Sequence, residues 1–285
     1  MLRGISAGAM MLATPLTTAT FAHDESKYPD MKGQWLRSRV PGVVGQPSYD
    51  PTKSEGYAQQ APLTPEYRAI HEASIADQKA GGQGNDPTYL CIPPGMPRLM
   101  NLYDPMEIVV AAETTHILIE YIRDSRRIYS DGRDWPTDFE STFAGYSIGK
   151  WIDEDGDGKF DVLEVETRFM KGPRALDATG LPLHKDNQTV VKERIFRDKV
   201  MPNVLNNEMT TYDNAFTRPW TVTKQYSRVQ GQRPNWREAV CAESQAHVVI
   251  EGHNYMFSAD GKLMPARKDQ PAPDPTYFGA AKPRQ

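Results

Sequence analysis

Four aspartates alternate with other residues along Asp153-Glu154-Asp155-Gly156-Asp157-Gly158-Lys159-Phe160-Asp161, a spacing suited to a hard cation. Asp153, Asp155 and Asp157 take the first, third and fifth positions of a calcium loop. Gly158 stands where the chain must turn sharply, the Lys159 carbonyl takes the seventh position, and Asp161 the ninth. Without a cation, so many carboxylates in one short loop repel one another. Glu164 falls at the twelfth position, where a helix-loop-helix hand places its bidentate ligand. Yet Leu163-Glu164-Val165-Glu166-Thr167-Arg168-Phe169 alternates with period two, so the loop is expected to join two strands, with Ca2+ pinning the hairpin. The plainer alternative is a solvated acidic turn.

Other candidates depend on the fold around them. His116 and Glu120 have the spacing of one strand face, with Thr114, Leu118 and Ile122 alongside. In a barrel cavity they would form a catalytic acid/base pair, histidine being the natural proton carrier at neutral pH; a satisfied structural histidine is the bland reading. Glu166, Glu193 and Arg194, together with Arg127, Asp131 and Arg133, have the types for a polar network that grips a carboxylate or hydroxylated ligand through arginine forks, or equally for exterior salt bridges. Tyr146, Trp151, Trp220 and Tyr226 would line an aromatic pocket or pack the core. His184, in Leu181-Pro-Leu-His-Lys-Asp186, is expected on a loop, where function tends to gather. A chain cut after Ala22 would begin at His23, whose amine and imidazole chelate copper with a second histidine such as His116, His247 or His253.

Several chemistries drop out. The sequence has no Gly-rich phosphate loop before a helix, no Gly-x-Ser-x-Gly, no His-Glu-x-x-His and no Cys-x-x-Cys, which removes nucleotide, serine-hydrolase and zincin readings. A formal charge of −4 offers nothing to nucleic acid. Met1-Leu2-Arg3 followed by the uncharged, Ala- and Thr-rich stretch from Ile5 to Ala22 has the shape of a secretory leader, residues 1–22, so a periplasmic or secreted protein is expected. Removal of Arg3 with it leaves 32 basic against 37 acidic groups, a charge of −5. No later segment is apolar enough to span a bilayer. Cys91 and Cys241 are the only two cysteines; in an oxidising compartment they are expected to form one disulfide, the alternative being two buried thiols.

The elements that must position these groups are mostly strands. Residues 23–90 open as an irregular, Pro- and Gly-rich arm and continue into a helix. Its start is marked by Thr64-Pro65-Glu66, its end by Gly81-Gly82, and its buried face is expected to carry Tyr67, Ile70, Ala73 and Ser74. After the rigid Cys91-Ile-Pro-Pro-Gly-Met-Pro97 turn, β-rich runs follow at 107–112, 116–122, 126–130, 146–152, 162–170, 189–197, 208–212, 220–228 and 247–257, bounded by turn signals. Residues 91–258 therefore predict a mainly β domain, an antiparallel meander closing into a lipocalin-like barrel or stacking as a sandwich. Residues 259–285 predict a loose tail. No internal repeat suggests a propeller.

Two resemblances are visible. The aspartate loop resembles the calcium hairpins of integrin-type propeller repeats, where the same loop joins two strands. The runs Cys91-Ile-Pro-Pro-Gly-Met-Pro-Arg98, Arg127-Ile-Tyr-Ser-Asp-Gly-Arg133, Gly145-Tyr-Ser-Ile-Gly-Lys-Trp151, Leu163-Glu-Val-Glu-Thr167 and Arg218-Pro-Trp220 resemble a large set of secreted proteobacterial β-rich proteins of uncharacterised activity, whose Trp-to-Val-Glu-Thr turn is here lengthened into the aspartate loop. That resemblance implies a secreted, strand-rich protein and brings no reaction with it. The leading expectation is a secreted, calcium-stabilised barrel binding a small apolar or amphipathic molecule. A lyase, isomerase or hydrolase using His116 and Glu120 is the second, and a structural envelope protein the third.

Overall fold

Trp35 is wholly buried, its indole N–H donating to the Met31 carbonyl at 3.0 Å, and it anchors the strand that closes the sheet. In this computed structural model nine strands form a closed barrel in chain order. They are β1 Gln34–Arg37, β2 Met106–Val110, β3 Thr114–Ile119, β4 Ser125–Tyr129, β5 Tyr146–Ile152, β6 Val162–Arg168, β7 Val190–Arg197, β8 Val204–Tyr212 and β9 Trp220–Arg228. β9 pairs antiparallel with β1, Leu36 opposite Ser227, so the barrel presents no open edge. The structure describes residues 23–37, 52–53, 57–80, 82–121, 125–231, 235–237, 241, 247–250, 253–257, 263–265 and 269–271. The expected leader, 1–22, lies outside them.

The expected barrel with one helix is present, with three differences in detail. The meander is not wholly antiparallel: β4 and β5 run parallel, Ile128 beside Ser147 and Tyr129 beside Ile148. Residues 130–145 carry the chain back across, a crossover of the length that parallel neighbours require. Its Phe139 packs on Tyr146 and Phe169 with ring centroids 5.0 and 5.8 Å apart. β1 comes from the stretch read as an irregular arm, since four residues are too few for a visible period. The run 247–257 forms β10 His247–Ile250 and β11 His253–Phe257, which pair with β12 Leu263–Pro265 in a separate three-stranded sheet. Alternation marks a strand without naming its partner.

The single α-helix among the described residues, α1 Pro65–Lys79, starts at Thr64, whose hydroxyl accepts from the Tyr67 N–H. Its buried stripe is Tyr67, His71, Ser74 and Ile75, while Ile70 and Ala73 face solvent, correcting the expected face by about one residue. The helix binds the β6–β7 connection through polar contacts: His71 Nε2 lies 3.0 Å from Thr179 Oγ1, and Ser74 Oγ donates to the Thr179 carbonyl at 2.9 Å. Cys91 and Cys241 form the expected disulfide, Cα atoms 5.6 Å apart. No helix among the described residues is long and apolar enough to cross a membrane.

Strand direction sorts the loops into two ends. The β5–β6 and β7–β8 loops share one. The β6–β7 and β8–β9 connections share the other, where α1 and the short 3-10 turn Arg98–Asn101 also pack, Asn101 Nδ2 reaching the Leu176 carbonyl at 3.1 Å.

Candidate functional site

The aspartate loop joins β5 to β6 at the first of these ends. Asp153 accepts from the Gly156 and Gly158 N–H groups at 2.7 and 2.9 Å, and Asp161 from the Glu154 N–H at 2.9 Å. Gly156 and Gly158 adopt φ of +76° and +86°, left-handed conformations that glycine takes without a Cβ penalty. One carboxylate oxygen each from Asp153, Asp155 and Asp161 lies within 4.8 Å of the others. Three hard oxygens at that spacing fit around one Ca2+ with bonds of about 2.3–2.6 Å. Lys199, on the β7–β8 loop, leans on the same group, its Nζ 3.5 Å from Asp155 and 3.7 Å from Asp161. Asp161 and Asp155 in turn raise the Lys199 pKa.

Asp157 and Glu164, also expected as ligands, are not part of this triad. Asp157 accepts from the Lys159 N–H at 2.8 Å. Glu164 stands on the outer face of β6, 3.5 Å from Arg194, because the strand has already begun at Val162 and period two turns the side chain outward. His23, considered for copper, stacks on Tyr28 at 4.8 Å. Tyr28 in turn packs against Trp151 and Phe160 at 5.3 and 5.0 Å, and the Phe160 N–H donates to the Lys27 carbonyl at 2.7 Å. The loop thereby clasps the segment ahead of β1. A cleft of about 250 Å3 beside it is lined by Phe160, Asp161, Lys199 and Pro202, among others.

The proposed acid/base pair is not brought together. Thr115, Ile117 and Ile119 are the buried set of β3, leaving His116 on the opposite face across from Val109 and Arg127. Glu120 lies beyond the strand's end, buried, and accepts from Arg237 Nε at 2.6 Å. Burial and the neighbouring Glu120 charge push the Asp104 carboxyl above its usual range.

The expected arginine network also falls mostly outside the barrel. Arg127 is exposed. Arg133 chelates Asp131 and stacks over Tyr129 at 3.9 Å, with Tyr146 Oη 3.5 Å away. Glu166 pairs with Arg168 and, at 3.4 Å, Lys192. Arg194 meets Glu154, and Glu208 at 3.4 Å. Such solvated pairs contribute little each. His184 Nδ1 sits 2.9 Å from Asp186, its ring 5.1 Å from Tyr67, and serves to order its loop. Trp151 and Trp220 are buried.

Inside, one residue earlier than expected, Arg126 reaches Glu193 through two hydrogen bonds, 3.0 and 2.5 Å long. Its remaining donors go to Thr167 at 2.7 Å and Ser147 at 3.1 Å, while Asn207 donates to Glu193 at 2.9 Å. Around this pair Ile117, Ile128, Leu163, Val191, Ile195 and Leu205 are almost completely buried. These side chains pack together at the barrel centre.

What remains is a cavity of about 20 Å3 toward the second end, between β8, β9, the Arg98–Asn101 turn and the β6–β7 connection. Gln59, Asn101, Asp177, Trp220 and Lys224 line it. Gln59 Oε1, Asn101 Oδ1 and Trp220 Nε1 are buried without a hydrogen-bond partner among the described residues. Lys224 is 4% exposed. Burial, reinforced by the Arg37 guanidinium and opposed by Asp177, lowers its pKa to about 7. The sequence signal was a lysine within the alternating apolar stripe Trp220, Val222, Lys224, Tyr226.

No protein-family model matches the chain, and no curated protein matches it significantly.

Proposed function

We propose that this protein is an exported, calcium-stabilised β-barrel that binds a small polar molecule at the capped end, opposite the aspartate loop. The observation that carries this reading is that three residues lining one cavity with Lys224, namely Gln59, Asn101 and Trp220, each carry a buried polar atom (Oε1, Oδ1 and Nε1) that is unpartnered among the described residues. Buried polar groups nearly always have partners, and a cluster of exceptions in one place suits a guest that supplies them. The packed barrel centre and the cavity volume favour a guest smaller and more polar than the apolar ligand expected of a barrel interior. At the other end the Asp153, Asp155 and Asp161 oxygens would hold Ca2+ and tie β5, β6 and the segment ahead of β1 together, a scaffolding task compatible with the calcium levels of extracellular modules.

Native mass spectrometry of the protein recovered from its export compartment, then repeated under denaturing conditions, tests the whole reading. A folded species carrying one calcium and a small organic mass, both released on denaturation, is the expected result. A metal-free, guest-free species that also takes up neither calcium nor a small polar compound on titration would overturn it.

A further inference from the structure

Lysine in a barrel interior normally finds a carboxylate, because an uncompensated buried ammonium is costly. Lys224 has none in bonding distance: among the described residues it makes no hydrogen bond or ion pair, though it is 96% buried, with 4% of its surface exposed. The charged groups that face it are Arg37 on β1, which disfavours a second cation, and Asp177 in the β6–β7 connection, which favours one. Deeper in the barrel Arg126 and Glu193 compensate each other. Tyr226, two residues along, is engaged with the Met100 carbonyl at 2.5 Å. Asp177 lines the same cavity but accepts its hydrogen bonds from Thr179, so among the described residues no carboxylate bonds the ammonium. An amine so placed spends much of its time neutral at pH 7, with a free electron pair and an adjoining cavity of about 20 Å3.

We propose that Lys224 captures the smallest of carbonyl compounds, a one-carbon aldehyde, as an imine, the cavity being roomy enough for little more than one water-sized group. The amine nitrogen adds to the carbonyl carbon to give a carbinolamine. Loss of the former carbonyl oxygen as water, carrying away both amine protons, leaves the C=N bond, so atoms balance without oxidant or reductant. Gln59, Asn101 and Trp220 line the same space and each carries a buried polar atom unpartnered among the described residues: the Trp220 N–H suits the departing oxygen, and the two amide oxygens suit hydroxyl or water protons. Desolvation is the established way of making a lysine nucleophilic near neutral pH. The inference rests on the proposed small-molecule site and names the ligand class for it.

The test uses the intact, disulfide-bonded protein with substoichiometric formaldehyde and sodium cyanoborohydride at pH 7. Cyanoborohydride delivers hydride to the imine carbon and fixes the adduct as a secondary amine. Peptide mapping should find Lys224 modified at least about tenfold faster than exposed lysines such as Lys150 and Lys192. Prior incubation with an excess of the non-reducible one-carbon analogue formate should slow Lys224 and leave the others unchanged. Equal rates at Lys224 and the exposed lysines, or no label at Lys224, overturn the proposal, and neither outcome depends on a variant that has to fold. An unlabelled Lys224 in a protein that still carries a small guest by native mass spectrometry would end the imine chemistry alone. An unlabelled Lys224 in a protein that binds no guest would end both readings.

Discussion

Arg126 on β4 and Glu193 on β7 meet in the barrel interior with side chains 1% and 0% exposed, joined by two hydrogen bonds. Every nitrogen of the guanidinium is engaged, and Asn207 bonds one carboxylate oxygen. Removing one partner leaves the other charged and dry. Glu193→Gln or Arg126→Met is therefore expected to cost about 3–5 kcal/mol by urea unfolding. The double replacement Arg126→Met with Glu193→Gln should cost less than the two single losses added together, because it removes the orphaned charge as well. Additive losses would mean that the pair is not coupled.

Calcium should raise the melting temperature in proportion to the logarithm of its concentration once the site begins to fill, since folding is what brings Asp153, Asp155 and Asp161 within reach of one ion. Asp153→Ala should abolish the rise, because Asp153 also caps the Gly156 and Gly158 N–H groups, and Asp155→Ala should abolish it with less damage to the ion-free protein. Lys199 competes for Asp155 and Asp161. Lys199→Ala should therefore move the calcium response to lower concentration. An unchanged response in Asp155→Ala would rule out the loop as the site.

How far the sequence carried varies with the range of the interaction. The aspartate loop was legible because its signal is local: four side chains, two glycines and a strand on each side. Most barrel strands were legible from period two. Register was not, and one residue separates Arg127, considered for a ligand-gripping network or an exterior salt bridge, from Arg126, which is inside; a slip of one exchanges the faces of a strand. His116 failed for the same reason, since nothing in Thr-Thr-His-Ile-Leu-Ile says which alternate set is buried. β1 offered only Trp35 as a clue, and its partners lie some seventy and nearly two hundred residues away. Lys224 was visible as an oddity among apolar neighbours, but its lack of an interior carboxylate is a property of the assembled barrel.

Closing the Cys91–Cys241 bridge removes from the unfolded chain the freedom of a loop spanning 150 residues, about 5 kcal/mol on a chain-entropy estimate. Reduction or Cys241→Ser should lower the urea midpoint accordingly. Intact mass of the oxidised protein should be two hydrogens below the reduced value.

The pH dependence of stability should single out Lys224. Its folded-state pKa, about 7, lies below that of an unfolded lysine, roughly 10.4. Between these values the unfolded chain binds a proton that the folded protein does not, so stability rises with pH across that window. The penalty for burying the amine is full below pH 7 and is relieved by up to about 5 kcal/mol as pH approaches 10. Tyr226 works in the opposite sense above pH 10, because burial raises its pKa and holds its proton in the folded state. The comparison therefore belongs between pH 7 and 9.5. Lys224→Met should be more stable than wild type at pH 7, and its stability should be nearly flat where the wild-type value climbs. A wild-type curve as flat as that of the variant would mean that Lys224 keeps its proton on folding. The amine would then be unsuited both to imine chemistry and to its position in the barrel wall.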